Sequence, residues 1–238
     1  MLKIAIKKII PEKFHSVLVH FFSSYAQKSY SQEGEDVVLA RFFGNIQRGF
    51  YVDIGAHHPK RFSNTYYFYK KGWNGINIDA MPGSMKLFKK VRSRDINIEE
   101  AVSDKREMLT YYGFNEPALN GFADELALER DGKNGYKIIF KKDIETKTLS
   151  EILDKYLPDN QHIDFMTIDV EGLDYNVLKS NNWEKYKPDF IVVEILNSKL
   201  EDIFDSQIYK FMCEIGYRAI AKTANDVIFK YEYLKSII

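Results

Sequence analysis

A chain of 238 residues sets 34 Lys and Arg against 34 Asp and Glu, a formal net charge of zero that excludes the basic surface of a polyanion binder, so no nucleic-acid partner is expected. A hydrophobic fraction of 45%, a third of it aromatic, is enough to fill one α/β core and excludes a mostly disordered chain. The single cysteine, Cys213, excludes a disulfide framework, and no apolar run reaches the roughly 18 residues of a membrane span, so the chain reads as soluble, reduced and cytoplasmic.

Residues 1–30 form an N-terminal helical extension in this reading. Lys3, Lys7 and Lys8 precede apolar residues at helical spacing, Pro11 interrupts them, and a secretion signal's unbroken apolar centre is missing. Two uses stay open: a helix packed on the domain or a partner, or a basic amphipathic segment resting on the inner membrane.

Residues 31–238 read as a single α/β domain. Short apolar runs predict strands at Phe50–Ile54, Ile76–Asp79, Ile96–Ile98, Phe165–Asp169 and Phe190–Ile195. Helical stretches are predicted at Asp36–Phe43, Asn64–Lys71, Ser84–Val91, Ser150–Tyr156, Leu173–Asn181 and Asp205–Ile215. This alternation is that of a mostly parallel sheet covered by helices, and Arg218–Lys222 with Val227–Tyr231 reads as a C-terminal antiparallel hairpin. Glu107–Phe114 and Lys137–Ile144 read as extra strands, and the polar stretch Asn115–Gly135 between them as an irregular loop bordering the active site. The positive residues between Lys86 and Arg94 read as a solvated helix face.

Three of these strands run into acids. Tyr51–Pro59 (YVDIGAHHP) ends a strand with Asp53 and turns at Gly55-Ala56; Gly72–Pro82 ends one with Asp79; Ile163–Gly172 closes one with Asp169 and Glu171. In open parallel sheets, ligands bind at the carboxyl ends of the strands, where an acid can take both hydroxyls of a ribose. A dinucleotide would need G-x-G-x-x-G after the first strand, and Gly55–Lys60 reads GAHHPK. A carboxylate there repels phosphate and suits a nucleoside with a cationic arm, which describes S-adenosylmethionine.

These segments resemble the FkbM-type methyltransferases, a class I S-adenosylmethionine-dependent family. The resemblance is carried by SQEGED (Ser31–Asp36), GFYVDIGAHHP (Gly49–Pro59), SNTYYFYKKGWNGINIDAMP (Ser63–Pro82), AVSD (Ala101–Asp104) and IDFMTIDVEGLD (Ile163–Asp174). It implies a Rossmann-like seven-stranded sheet and methyl transfer to oxygen, commonly a hydroxyl of a sugar or polyketide, in relatives often tied to bacterial surface polysaccharides. On this resemblance Asp53, Gly55 and Ala56 match the methionine-binding turn, Asp79 with Ala80 the ribose-binding strand end, and Ala101 and Val102 the adenine wall, with Asp169 at the same cleft.

An alcohol is a weak nucleophile at neutral pH, so a general base within hydrogen-bond reach is expected. Asp169, Glu171, His57, His58 and Asp174 are candidates, with Glu171 the first choice and His58 the alternative. Asp169, Glu171 and Glu194 could instead hold a hard divalent ion such as Mg²⁺. His57, Asn64, Asn120 and Glu171 are the candidate acceptor contacts; Ser63, Asn64 and Thr65 also read as caps of the following helix. The acceptor is expected to be a carbohydrate or nucleotide sugar, with a small secondary metabolite, or a binding module without turnover, as the alternatives.

Overall fold

The pentapeptide Phe50–Ile54 is buried at every position, as expected of a central parallel strand covered on both faces. In the computed structural model, which describes residues 26–44, 46–196 and 199–232, it is strand β1. The expected N-terminal helical extension falls largely on residues 1–25, outside the described residues, and residues 26–30 have no regular structure.

In chain order, α1 (Glu35–Phe43) precedes β1, followed by α2 (Tyr66–Lys70), β2 (Asn74–Asp79), α3 (Met85–Val91), β3 (Ile96–Glu99), β4 (Ala101–Val102) and β5 (Met108–Phe114). Then come α4 (Asp124–Arg130), β6 (Ile138–Lys147), α5 (Leu149–Tyr156), β7 (Phe165–Ile168), α6 (Asp174–Lys179), β8 (Phe190–Glu194), α7 (Gln207–Glu214), β9 (Tyr217–Lys222) and β10 (Asp226–Tyr231). The main sheet has seven strands in the order β3-β2-β1-β7-β8-β10-β9. The first five are parallel and β10 runs antiparallel to both β8 and β9, the mostly parallel Rossmann-like sheet with a C-terminal hairpin that the sequence implies. Strand order reverses at β1, so the β1–β7 edge is the topological switch point.

Period-two alternation divides the core between the two faces of the sheet. Val52, Ile54, Ile78, Ile168 and Val193 pack with Ile152 and Leu153 of α5, Val177 and Leu178 of α6, and Met212 of α7. Tyr51, Phe165, Phe190, Val192 and Ile228 face the opposite way onto Leu39 and Phe43 of α1, Phe68 of α2 and Trp73. Helix α5 begins at Leu149 because Thr148 and Glu151 form a reciprocal capping box.

Two expectations are corrected here. The stretch Asn115–Gly135 is not irregular throughout: it carries a 3-10 turn at Pro117–Leu119 and helix α4, and it is tied to a three-stranded sheet in the order β4-β6-β5. The Lys86–Arg94 positives are not all solvated, since Arg92 is fully buried. Apart from Asp95, which pairs with it three residues on, the acceptors that surround Arg92 come from β1, β2 and the loops beside them, where local sequence does not show them.

Candidate active site

A cleft of about 410 Å³ opens at the carboxyl edge of β1, β2, β7 and β8, within the size range of small-molecule and cofactor sites. Its floor is the turn after β1. The Gly55 and Ala56 amides both donate to the Ile78 carbonyl, at 2.9 and 3.0 Å, which bolts the turn to β2. Gly55 has φ +82°, and a Cβ there would lie 1.7 Å from the Asp169 carbonyl oxygen, so a side chain is excluded on two counts.

Asp79 ends β2 inside the cleft, 8% exposed. The His57 amide donates to its Oδ2 and the Met81 amide to its Oδ1, both at 2.8 Å. Burial raises its pKa, and those two amides pull it back down. Each oxygen keeps a further acceptor position for a ligand hydroxyl. Ala80, Glu100, Val102, Tyr111 and Asn120 continue the wall around it. Burial and the charge of Asp79 hold the Tyr111 phenol protonated.

Acids line the opposite end. Asp169 follows β7, and its side chain is open to the cleft while protein closes around it elsewhere; that enclosure, then Glu194 and Glu171, raises its pKa well above the usual carboxylate range. Glu194 ends β8; burial, then the charges of Glu171, Asp174 and Asp226, push it up to about 9, and its Oε2 has no partner among the described residues. Glu171 adopts φ +54° and receives Arg130 Nη1 on its Oε2 at 2.6 Å. Asp174, raised by burial to about 6, accepts the Val170 and Gly172 amides and so pins the loop that carries Glu171.

Of the residues singled out in the sequence, Gly55, His57, Asp79, Ala80, Val102, Asn120, Asp169, Glu171 and Glu194 line this cleft. Asp53, Ala56, Ala101, His58 and Asn64 do not. Asp53 accepts the Thr65 hydroxyl at 2.6 Å and is raised by burial to about 6. Ala56 packs on Met85 and Phe88, and Ala101 beneath Tyr111 and Phe122. His58 Nδ1 accepts the Lys60 and Arg61 amides, so it shapes the turn instead of facing the cleft. His57 is the histidine that does face it; burial drops its pKa to about 4, and its Nε2 has no partner among the described residues. Asn64 donates to the Thr167 hydroxyl, and of the three proposed cap residues only Ser63 receives the Tyr66 amide.

The divalent-ion reading finds no geometric support in these side chains. Among the described residues the oxygens of Asp169, Glu171 and Glu194 do not gather within 4.8 Å of one another, because Glu171 is drawn to Arg130. The group that does gather, His162, Asp164 and Asp189, flanks the opposite ends of β7 and β8.

Several cleft residues escaped the reading of the sequence. Arg130, Arg61 and Glu116 carry no motif; Arg61 pairs with Glu116 at 3.0 Å and joins the turn after β1 to the far wall. Gln32 lines the cleft from within SQEGED, a segment that carries no strand-end acid to mark it. Its neighbour Glu33 accepts the amide and side-chain nitrogens of Asn225, another lining residue, at 2.8 and 3.1 Å.

The features present fit S-adenosylmethionine: a bare-backbone turn at Gly55 and a strand-end acid with free acceptor positions at Asp79. Among solved structures the chain is similar to a TehB-like S-adenosylmethionine-dependent methyltransferase of Corynebacterium glutamicum, at 8% identity and a TM-score of 0.41, covering 92% of this chain and 95% of that one. It is also similar to the 1,6-didemethyltoxoflavin-N1-methyltransferase of Burkholderia thailandensis, solved with 1,6-didemethyltoxoflavin and S-adenosylhomocysteine, at 11% identity and a TM-score of 0.37, covering 94% and 91%. No curated protein matches the chain. Residues 53–219 match the family model described as the methyltransferase FkbM domain, a span that takes in Gly55, Asp79, Asp169, Glu171 and Glu194, and the chain belongs to that family of S-adenosylmethionine-dependent methyltransferases.

Proposed function

We propose that the chain transfers the methyl group to oxygen, on a hydroxyl of a sugar unit in surface-polysaccharide or nucleotide-sugar synthesis. The observation that carries this reading is the division of the cleft. Gly55 lies between two ends: His57 and Asp79 form one, suited to a nucleoside, while Asp169, Glu171 and Glu194 with Arg130 form a polar end suited to a hydroxyl-rich acceptor. S-adenosylmethionine supplies an activated methyl on a sulfonium.

The chain's own residues divide the remaining work. Asp79 binds ribose hydroxyls, and Ala80 and Val102 flank the base. His57, neutral at pH 7, offers an imidazole nitrogen to the ligand, and Asn120 contacts it from the opposite wall. Glu171 serves as general base: burial raises its pKa toward the working pH, and Arg130 fixes its direction. Asp169, its pKa raised well above the usual carboxylate range, stands beside Glu171 as a hydrogen-bonding group of the polar end. Asp53 acts from behind the turn.

The test is transfer of labelled methyl from S-adenosylmethionine to panels of nucleotide sugars, oligosaccharides, small phenols and amines. Label on a sugar hydroxyl supports the reading. Label only on nitrogen, or only on small phenols, overturns the acceptor assignment and leaves the family untouched.

A further inference from the structure

We propose that Arg92 is a positioning residue of the cofactor site, its buried guanidinium holding the turn after β1 in the shape that presents the His57 amide to Asp79. This rests on the reading of the cleft as an S-adenosylmethionine site.

Arg92 is 0% exposed and follows α3. Its Nε donates to Asp95 Oδ2 at 2.8 Å, an ion pair with both side chains fully buried. Its Nη2 donates to the Tyr51 hydroxyl at 2.7 Å and to Thr65 Oγ1 at 2.9 Å, with Asn77 Oδ1 at 3.3 Å. Its Nη1 donates to the Pro59 carbonyl at 3.2 Å. Thr65 passes the connection on, donating to Asp53 at 2.6 Å. One planar cation thus ties β1, β2, the start of α2 and the Gly55–Pro59 turn together, and the ring of Tyr69 lies 4.8 Å from it.

The distribution of donors argues for a task beyond charge pairing. Asp95 alone neutralises the cation, and a buried ion pair is weak evidence of stabilisation. The Pro59 and Thr65 bonds reach a segment that regular structure does not hold: between β1 and α2, His57 (φ +50°) and Phe62 (φ +54°) both sit in the left-handed region. Such a backbone persists only where its surroundings over-determine it. Released from Pro59, the turn is free to move the His57 amide off Asp79, the carboxylate assigned to the ribose. Lysine cannot substitute, because a single ammonium lacks the planar fork that reaches acceptors on several sides.

The experiment is calorimetric titration of S-adenosylhomocysteine into the full chain, as wild type, Arg92→Lys, Thr65→Val and Thr65→Ser. Circular dichroism checks folding at the titration temperature, and hydrogen exchange is followed over residues 55–62 and over β7. Folded Arg92→Lys and Thr65→Val are expected to bind at least about tenfold more weakly, the worth of one hydrogen bond to a charged group. Exchange should quicken in 55–62 and stay unchanged in β7, and Thr65→Ser, which keeps the hydroxyl, should bind as wild type does. Folded variants that bind with wild-type affinity overturn the proposal. So does failure of the near-isosteric Thr65→Val to fold, which would place the network in the stability of the domain. A wild-type chain that binds no S-adenosylhomocysteine overturns the cofactor reading itself, an outcome distinct from the others.

Discussion

Arg130 and Glu171, 41 residues apart in sequence, meet at 2.6 Å at the acceptor end of the cleft, joining α4 of the inserted segment to the loop after β7. Both side chains are largely buried, so the pair is screened less than a surface salt bridge. Glu171→Gln is expected to lower the rate of methyl transfer by about 10²–10⁴-fold, the usual worth of a general base, while binding of S-adenosylhomocysteine stays unchanged. Arg130→Met should lower the rate less and shift the acid limb of the pH–rate profile upward, since the guanidinium is what pulls the Glu171 pKa down. Steady-state kinetics across pH beside calorimetry checks both.

Asp79 receives two backbone amides, and this makes the usual amide substitution revealing. Asp79→Asn keeps the shape but turns an NH₂ group toward either the His57 or the Met81 amide. Loss of one charge-assisted bond plus a donor facing a donor predicts weakening of S-adenosylhomocysteine binding by about tenfold to a hundredfold. The comparison with Asp79→Ala, which leaves the amides unpartnered but unopposed, is made in the same titration.

Gly55→Ala should be the most damaging single-methyl change in the cleft. The new Cβ would overlap the Asp169 carbonyl oxygen at a φ that side chains avoid, so β1 and β7 must separate at their carboxyl ends. Loss of soluble expression, or a melting temperature well below wild type together with loss of cofactor binding, is the expected result. Thermal unfolding and calorimetry give the answer together.

Stability should decline toward alkaline pH. Glu194 at about 9 and Asp226 at about 8 lie far above their unfolded values near 4, and burial is the first cause of both shifts. Between those limits the folded chain holds protons that the unfolded chain has released, so stability falls as pH rises, by up to about 1.4 kcal/mol per unit for each group. Between pH 4 and 6.5, Asp53 and Asp174, each at about 6, act in the same sense, while His57 at about 4 acts oppositely. The clear decline is therefore expected from pH 6.5 to 9. Melting temperatures measured across that window should flatten in Glu194→Gln, which carries no ionisable group to release.

Much of the fold is legible because strands buried on both faces must be short apolar runs, and β1 spans the same Phe50–Ile54 that its apolar run marks. The acids at their ends followed from the geometry of parallel sheets. Which acid faces the cleft did not: Asp53 and Asp79 look alike in sequence, yet Asp53 is drawn to Thr65, which Arg92 holds in turn. The choice between His57 and His58 turned on a single left-handed residue. The helix in DELALER is not legible because seven polar-rich residues in a loop carry little periodic signal, nor is the burial of Arg92, because all its partners but Asp95 are distant in the chain.

The clasp between Glu33 and Asn225 has a practical corollary. A fragment trimmed to residues 53–219 would begin inside β1, end inside β9 and discard Gln32, Asn225 and strand β10, leaving one wall of the cavity missing. Expression boundaries are better drawn upstream of Ser29, whose hydroxyl bonds Asp36 at 2.7 Å, and downstream of Tyr231, so that head and tail of the domain stay buttoned to each other.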